Sequence, residues 1–237
     1  GSKLYPGKIP GLVDITVEIP DGEFVFLIGP SGSGKTTFLR LLIRDLLPSE
    51  GTIHVDEWDL AKLTASNVYH LRRKVGIVFQ DFKLLLDRTV YENIVLVSEI
   101  LGKSHHDREK EVMNVLSLVG LTDKKNMFPM QLSAGEMQRV SIARAIVGGP
   151  KILLADEPTG NLDPETSWEI LEILQEIHKL GTTIIMASHN ADIVNKMKKR
   201  TLTIEHGMIT HDEQRGRYHL DRHPKHHGKG GKHDADA

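Results

Sequence analysis

A glycine-rich run at residues 29–36, Gly-Pro-Ser-Gly-Ser-Gly-Lys-Thr, constrains the fold of this chain more than any other stretch. It follows an apolar run at 23–28 that predicts a strand, and it precedes a helical pattern at 37–43. Glycines in such a loop let successive backbone N–H groups turn inward around phosphate oxygens, and the helix N-terminus adds partial positive charge. The sequence therefore predicts a strand–loop–helix unit that binds a nucleoside triphosphate.

Two side chains of this loop have predicted roles of their own. Lys35 would contact the β- and γ-phosphates, and the hydroxyl of Thr36 would ligate Mg²⁺. Chance alone would give this pattern in a chain of this length about one time in a hundred. Kinases, GTPases and motor ATPases share the loop, so it predicts nucleotide binding without specifying the reaction. The predicted nucleotide-binding residues of this segment are Gly29, Pro30, Ser31, Gly32, Ser33, Gly34, Lys35, Thr36 and Thr37.

A second acidic site follows the apolar run at 151–155, which predicts a buried strand ending in Asp156 and Glu157. A carboxylate at the C-terminal end of a strand can reach a metal beside the phosphate loop, so Asp156 is the predicted Mg²⁺ partner, directly or through water. Glu157 is then placed to orient or deprotonate an attacking water. Acidic residues also end strands at the protein surface for no functional reason, but the phosphate loop favours the functional interpretation.

Strand and helix patterns alternate along the chain, which predicts an α/β fold with a mostly parallel sheet and crossover helices. Asp163 suits a helix cap and Pro164 the first helical position, so a helix is predicted over 164–180. The periodicity of 89–145 predicts a mostly helical insert. Buried strands are predicted at 23–28, 74–79, 151–155 and 182–187, and shorter antiparallel edge elements at 51–55, 201–204 and 208–210.

Composition bounds the class of protein. A net charge of −2 gives no reason to expect nucleic-acid binding, and the lack of cysteine excludes disulfides and thiolate metal sites. No apolar run reaches the ~18–20 residues of a membrane helix, so any membrane contact is expected to come through a partner. We predict one domain over 1–211, followed by a disordered His-rich tail over 212–237, which is too poor in apolar residues to offset the entropy of ordering.

Several further elements, taken in order, resemble those of the ATP-binding cassette (ABC) ATPases over nearly all of residues 4–210. Gln80 resembles the Q-loop glutamine, 132–138 (Leu-Ser-Ala-Gly-Glu-Met-Gln) the signature, 158–163 the D-loop region and His189 the switch histidine. Tyr5 resembles the aromatic residue that stacks on adenine. Taken singly, Gln80 could be an ordinary loop residue, His189 a histidine at a strand end and Tyr5 part of the core.

The resemblance implies a P-loop NTPase fold with a RecA-like core, a small antiparallel β subdomain and a helical subdomain. It implies an ATPase with ATP and Mg²⁺ as cofactors, working as a head-to-tail homodimer with two ATP molecules between the subunits. Ala134 departs from the commonest signature, which has Gly there, but Ala is small enough for close phosphate approach. The implied catalytic residues are Glu157, His189, Lys35 and Gln80. The implied metal ligands are Thr36, Gln80 and Asp156. The residues that each subunit would contribute to its partner's site are Ser133, Ala134, Gly135 and Glu136.

Within the family, 80–93 is similar to the ATPases of bacterial cell division, whereas 155–163 is shared with lipoprotein-release and macrolide-export ATPases. The first similarity implies a subunit at the inner face of the cell membrane, bound to an integral membrane partner and controlling cell-wall hydrolysis. The alternative is the ATPase of a true transporter. Two-cassette ribosome factors and coiled-coil DNA-repair proteins do not fit the chain, and Glu157 with His189 argues against an ATP sensor without hydrolysis. Candidates for an apolar docking surface, or equally for burial under the insert, are Phe82, Leu84, Leu85 and Leu86.

Overall fold

A six-stranded, mostly parallel sheet forms the centre of the structure. The computed structural model describes residues 1–6 and 9–216. The strands are β1 (Lys3–Tyr5), β2 (Ile9–Leu12), β3 (Phe24–Ile28), β4 (His54–Val55), β5 (Trp58–Asp59), β6 (Val75–Phe79), β7 (Ile152–Asp156), β8 (Thr183–Ser188), β9 (Arg200–Glu205) and β10 (Met208–Glu213). The helices are α1 (Lys35–Leu42), α2 (Val68–Lys74), α3 (Val90–Ile100), α4 (His105–Leu118), α5 (Ala134–Ile146), α6 (Pro164–Lys179) and α7 (Ala191–Met197), with short 3₁₀ turns at Thr122–Lys124 and Pro129–Gln131.

The strand order of the main sheet is β10-β9-β3-β8-β7-β6. All neighbours are parallel except β10, which runs antiparallel to β9. Every residue of β3 and β8 is buried, because helices cover both faces of the sheet. Phe24, Phe26 and Ile28 pack with α5 and α6 on one face, while Val25 and Leu27 pack with α1 on the other.

The four predicted buried strands are confirmed as β3, β6, β7 and β8. The predicted antiparallel pairing of 201–204 with 208–210 is confirmed, but the prediction that 201–204 lies at the edge of the sheet is wrong. This segment belongs to β9, which lies between β3 and β10 and pairs with β3 in parallel. Leu202 and Ile204 are fully buried there, so β9 completes the core, and β10 rather than β9 forms this edge of the sheet.

The helical insert predicted over 89–145 is present as α3, α4 and most of α5. Thr89 and Ser104 cap α3 and α4 through their side chains, which satisfies backbone N–H groups at both helix starts. Ile94 and Leu116 are fully buried where the two helices join the core under α5. The insert is therefore anchored to the main sheet through α5.

Two small antiparallel ribbons stand beside the main sheet. Only His54–Val55 of the predicted element at 51–55 is a strand, and it pairs with β5. Asp56 in the turn between them accepts hydrogen bonds from Lys74 and Lys151. The second ribbon, β1 with β2, was not predicted.

The sheet extends slightly beyond the predicted start of the tail at residue 212, because β10 continues to Glu213. Arg200 in β9 forms a two-pronged ion pair with Asp212 and contacts Glu23, and this network holds the last strand in place. The described residues of the predicted tail continue to Gly216, whose N–H donates to the Lys199 carbonyl oxygen, and 217–237 lie outside the described residues. Within 1–6 and 9–216, no helix is both long and apolar enough to cross a membrane.

Candidate nucleotide-binding and hydrolysis site

The predicted site residues meet at one edge of the main sheet. Parallel strands bring their carboxyl ends to the same side, which is where ligands bind in open α/β sheets. The phosphate loop follows β3, Gln80 follows β6, Asp156 ends β7 and His189 follows β8. These residues line an open cleft of about 1270 Å³.

The phosphate loop requires glycine at two positions where its backbone lies close to another backbone segment. Gly29 has φ 147°, and a Cβ there would lie 2.0 Å from the carbonyl oxygen of Ile204. Gly34 has φ 118°, and its Cβ would lie 2.6 Å from the carbonyl oxygen of Gly11. Any other residue at either position would displace the loop, so the glycines fix its path into α1.

The loop residues fit a phosphate group. Lys35 is buried and its Nζ donates to the carbonyl oxygens of Gly29 and Pro30, at 2.8 and 3.1 Å. Burial lowers the pKa of Lys35, although the nearby Glu157 and Asp156 act in the opposite direction. The Oγ of Ser33 is buried and has no hydrogen-bond partner among the described residues. Phosphate oxygens would supply acceptors to both groups.

Thr36 and Asp156 form a pair that fits Mg²⁺. The Thr36 hydroxyl donates to Asp156 Oδ2 at 3.1 Å. Burial raises the pKa of Asp156, and Glu157 adds to this while the Thr36 hydrogen bond opposes it. A divalent cation would stabilise the ionised carboxylate. The described residues contain no cluster of three or more His, Asp or Glu side chains that could hold a metal ion.

Glu157 and His189 form a hydrogen-bonded pair beside this metal position. His189 Nδ1 lies 2.8 Å from Glu157 Oε2, and the backbone N–H of His189 donates to the same oxygen at 3.3 Å. Glu157 has φ 50°, a left-handed conformation that costs energy for a residue with a side chain. The side chain and the backbone of His189 therefore both hold Oε2 of this carboxylate, and the carboxylate is suited to accept a proton from water.

Gln80 lines the cleft, but its amide faces a different partner from the one predicted. Its Nε2 donates to Asn161 Oδ1 at 3.1 Å, and Asn161 Nδ2 donates back to the Gln80 carbonyl at 3.4 Å. Asn161 belongs to the D-loop segment. The role of Gln80 as a metal ligand stays a prediction.

Tyr5 also lines the cleft and is half-buried. Its hydroxyl lies 3.0 Å from the Thr37 hydroxyl, which ties β1 to the start of α1. The edge of its ring lies against Gly11, where a Cβ would come within 2.6 Å. Stacking on adenine stays a prediction for this residue.

The signature residues lie outside the cleft. Ser133 caps α5, since its Oγ accepts from the Glu136 backbone N–H at 3.2 Å and its own N–H donates to the Glu136 carboxylate at 2.9 Å. An ion pair with Lys124 is the main cause of the lowered pKa of Glu136. Ser133 and Ala134 are exposed, and within the described part of the chain none of the four signature residues lines the cleft. The Ser133 hydroxyl hydrogen stays free to donate to a group on another molecule.

Sequence reasoning assigned no role to three polar residues that surround the catalytic segments. Asn161 holds Gln80, while Gln138 and Arg144 of α5 donate to backbone carbonyls next to the site. Gln138 lies inside the signature run, but nothing in the sequence of that run indicates that its side chain points into the protein. Arg144 looks like one more surface cation in a charged helix.

Comparisons with known proteins agree with this geometry. The family model described as ABC transporter matches residues 12–160. The cell division ATP-binding protein FtsE of Bacillus subtilis is 50% identical over 216 residues, covering 91% of this chain and 95% of that protein. FtsE of Escherichia coli strain K12 is 43% identical over 215 residues, covering 89% and 97%.

Solved structures give the same result. The dimeric ATP-binding cassette MJ0796, in a post-hydrolysis state bound to ADP and Pi, has a TM-score of 0.82 at 32% identity and covers 92% of this chain and 97% of its own. The cbiO1 protein from Clostridium perfringens, part of the ABC transporter complex cbiONQ, has a TM-score of 0.84 at 31% identity, with 90% and 85% coverage. The chain therefore belongs to the ABC transporter family and, within it, groups with the cell division ATP-binding proteins FtsE.

Proposed function

We propose that this chain is the ATP-hydrolysing subunit of a membrane complex and works as a head-to-tail homodimer closed by ATP. The observation that carries the proposal is the separation of its functional residues. One cleft collects Lys35, Thr36, Asp156 and Glu157, while the signature at Ser133 lies outside that cleft. In a head-to-tail pair, the signature of each copy would lie against the cleft of the other copy, which would complete two sites.

Within each site the residues divide the chemistry. The loop N–H groups and Lys35 would bind the β- and γ-phosphates, and Thr36 and Asp156 would hold Mg²⁺. When bound, Mg²⁺ neutralises charge that builds up on the phosphate oxygens. Glu157 orients the attacking water and accepts its proton, and His189 keeps that carboxylate in position through the 2.8 Å contact.

Binding and hydrolysis then act as a switch. The exposed start of α5 offers Ser133 and backbone N–H groups to a γ-phosphate held by the partner. ATP joins the two copies, and its hydrolysis removes the shared group and weakens the interface. The dimeric state captured for MJ0796 supports this arrangement.

For the membrane partner we propose an FtsX-like integral membrane protein. The chain would then be cytoplasmic and peripheral at the inner face of the cell membrane, and the output would be control of cell-wall hydrolysis in division. The FtsE names of the relatives support this choice. We propose Leu85 and Leu86, exposed at 41% and 58%, as the docking surface, because Phe82 and Leu84 are partly buried.

A second candidate is the nucleotide-binding subunit of a true transporter. The likeness to cbiO1, part of a transporter complex, favours it. The two candidates share ATP chemistry and dimerisation and differ in the membrane partner. Partner identity therefore separates them.

Co-expression with an FtsX-like membrane protein of the same organism tests the first candidate. The unaltered chain should co-purify with that protein in detergent, and a Leu85→Glu/Leu86→Glu variant should lose it, because charge replaces the apolar contact. Ile100→Glu, at a 73% exposed position on α3, is the matched control and should still bind. ATP turnover of both variants should stay within about twofold. Failure of the unaltered chain to co-purify would contradict the cell-division candidate.

A further inference from the structure

Gln138 lies at the junction of the three functional segments. It is the last residue of the signature run 132–138 and is completely buried on α5. Its Nε2 donates to the carbonyl oxygens of Phe79 and Pro158, at 3.3 and 2.5 Å. Phe79 directly precedes Gln80, and Pro158 directly follows Glu157. A single amide thus joins the signature helix to the backbones that carry both residues.

Arg144 provides a second connection from the same helix. Its guanidinium donates to the carbonyl oxygens of Lys83 and Phe82, at 2.7 and 3.0 Å. Both acceptors have left-handed backbones, with φ 53° and 59°. Adjacent residues in this conformation are strained and persist only where the surroundings hold them. The segment 79–83, which contains Gln80, is therefore held to α5 at both ends.

We propose that Gln138 is a positioning residue. Through it, ATP hydrolysis in the cleft of one chain depends on the contact that the signature of that same chain makes with the partner's nucleotide. Contact between the start of α5 and the partner's nucleotide would shift α5, and Gln138 would carry that shift to the carbonyls of Phe79 and Pro158. The inference rests on the proposed ATP-closed homodimer. It adds a route, through the Gln138 side chain, by which nucleotide contact at one site changes the position of catalytic residues in the other.

The chemistry of the contact supports this role. A buried amide donor exchanges its partners only at a high energetic penalty, so the two carbonyls move with the helix. Displacement of a catalytic group by about 1 Å can reduce a rate about a hundredfold. The signature end of α5 is exposed whereas Gln138 is fully buried, so the helix passes from the dimer surface to the catalytic backbones within two turns.

The test compares two full-length variants. Gln138→Met keeps length and flexibility but removes both hydrogen bonds. Ser141→Ala is the matched control, since Ser141 is equally buried on α5 and its hydroxyl has no hydrogen-bond partner within the described residues. Both variants alter the packing of the same helix, and only one removes the link.

Three measurements follow for each variant: kcat and KM for ATP, the equilibrium affinity for ADP without Mg²⁺, and hydrogen exchange of peptides covering 79–86 and 157–163. For Gln138→Met we expect kcat to fall ten- to a hundredfold and the Hill coefficient for ATP to approach one, with ADP affinity within about twofold. Exchange in both peptides should accelerate. Ser141→Ala should match the unaltered chain in every readout.

Equal kcat in the two variants would overturn the proposal, as would a parallel loss of kcat and ADP affinity, because the latter indicates a structural role alone. Exchange that stays unchanged in both peptides would also overturn it. The exchange and ADP measurements need no ATP turnover. An unaltered chain that neither hydrolyses ATP nor dimerises would instead contradict the proposed function.

Discussion

Glu157 shows how strongly a single residue can be constrained by its role. It holds a left-handed backbone at φ 50°, and its carboxylate is fixed by the side chain and the backbone of His189. Left-handed conformations cost about 1–2 kcal/mol for residues other than glycine. Stability would favour glycine at this position, and the proposed role of a carboxylate beside the metal position would account for the strain.

A comparison of Glu157→Gly with Glu157→Ala tests this strain directly. Both variants lose the carboxylate and should lose ATP turnover by at least a hundredfold. Only the glycine variant relieves the strained backbone, so it should unfold at higher urea, with a free energy of unfolding about 1 kcal/mol above that of the alanine variant. Equal stability of the two variants would show that the left-handed conformation carries no strain.

At this scale the sequence predicted residues whose chemistry is local. The phosphate loop, Asp156 and Glu157 follow from a strand, a loop and two carboxylates, and the structure brings them together in one cleft. Asn161 and Gln138 were not predicted, because their roles depend on backbone carbonyls and amides that are distant in sequence. No local pattern encodes such partners.

At the scale of elements, the start of α5 packs on the start of α6. A Cβ on Gly135 would lie 2.3 Å from Thr166 Cγ2. Thr166 donates through its hydroxyl to Asp163, the residue that caps α6. The signature glycine is thus required by packing inside its own subunit as well as by the role proposed for it in the partner's site.

This contact predicts a rescue. Gly135→Ala should destabilise the chain by about 1–3 kcal/mol, because the new methyl group overlaps a side chain held by its own hydrogen bond. Adding Thr166→Ser removes Cγ2 but keeps the hydroxyl, so the double variant should regain most of that loss in urea unfolding. A double variant no more stable than Gly135→Ala would show that the packing is not the cause. Ala134→Gly, at the exposed neighbouring position, is the control and should be close to neutral, within the propensity difference of about 1 kcal/mol.

Strongly patterned elements were predictable, and elements defined by their neighbours were not. The predicted strands 23–28 and 182–187 are apolar throughout, which matches β3 and β8 buried on both faces. The segment 201–204 has two threonines among its four residues and looked like an edge, yet it is buried because β10 covers its other side. β1 and β2 are short strands without a pattern of their own and depend on pairing with each other.

For the whole molecule, the main property is that the cleft and the signature of one chain lie apart. The cleft holds the residues proposed to bind and hydrolyse a nucleotide, whereas Ser133 and Ala134 are exposed outside that cleft. A net charge of −2 gives two copies little reason to attract or repel each other strongly. In the proposed arrangement the shared nucleotide is the expected source of affinity between them.

The molecular mass of Glu157→Gln in solution tests this central claim most directly. The variant keeps Lys35, Thr36 and Asp156 and should bind ATP, but it lacks the carboxylate that accepts the proton from water, so the closed state should accumulate. Light scattering at saturating Mg-ATP should give twice the monomer mass of 26.5 kDa, and the same variant with ADP should remain a monomer. A monomer at saturating Mg-ATP would contradict the account.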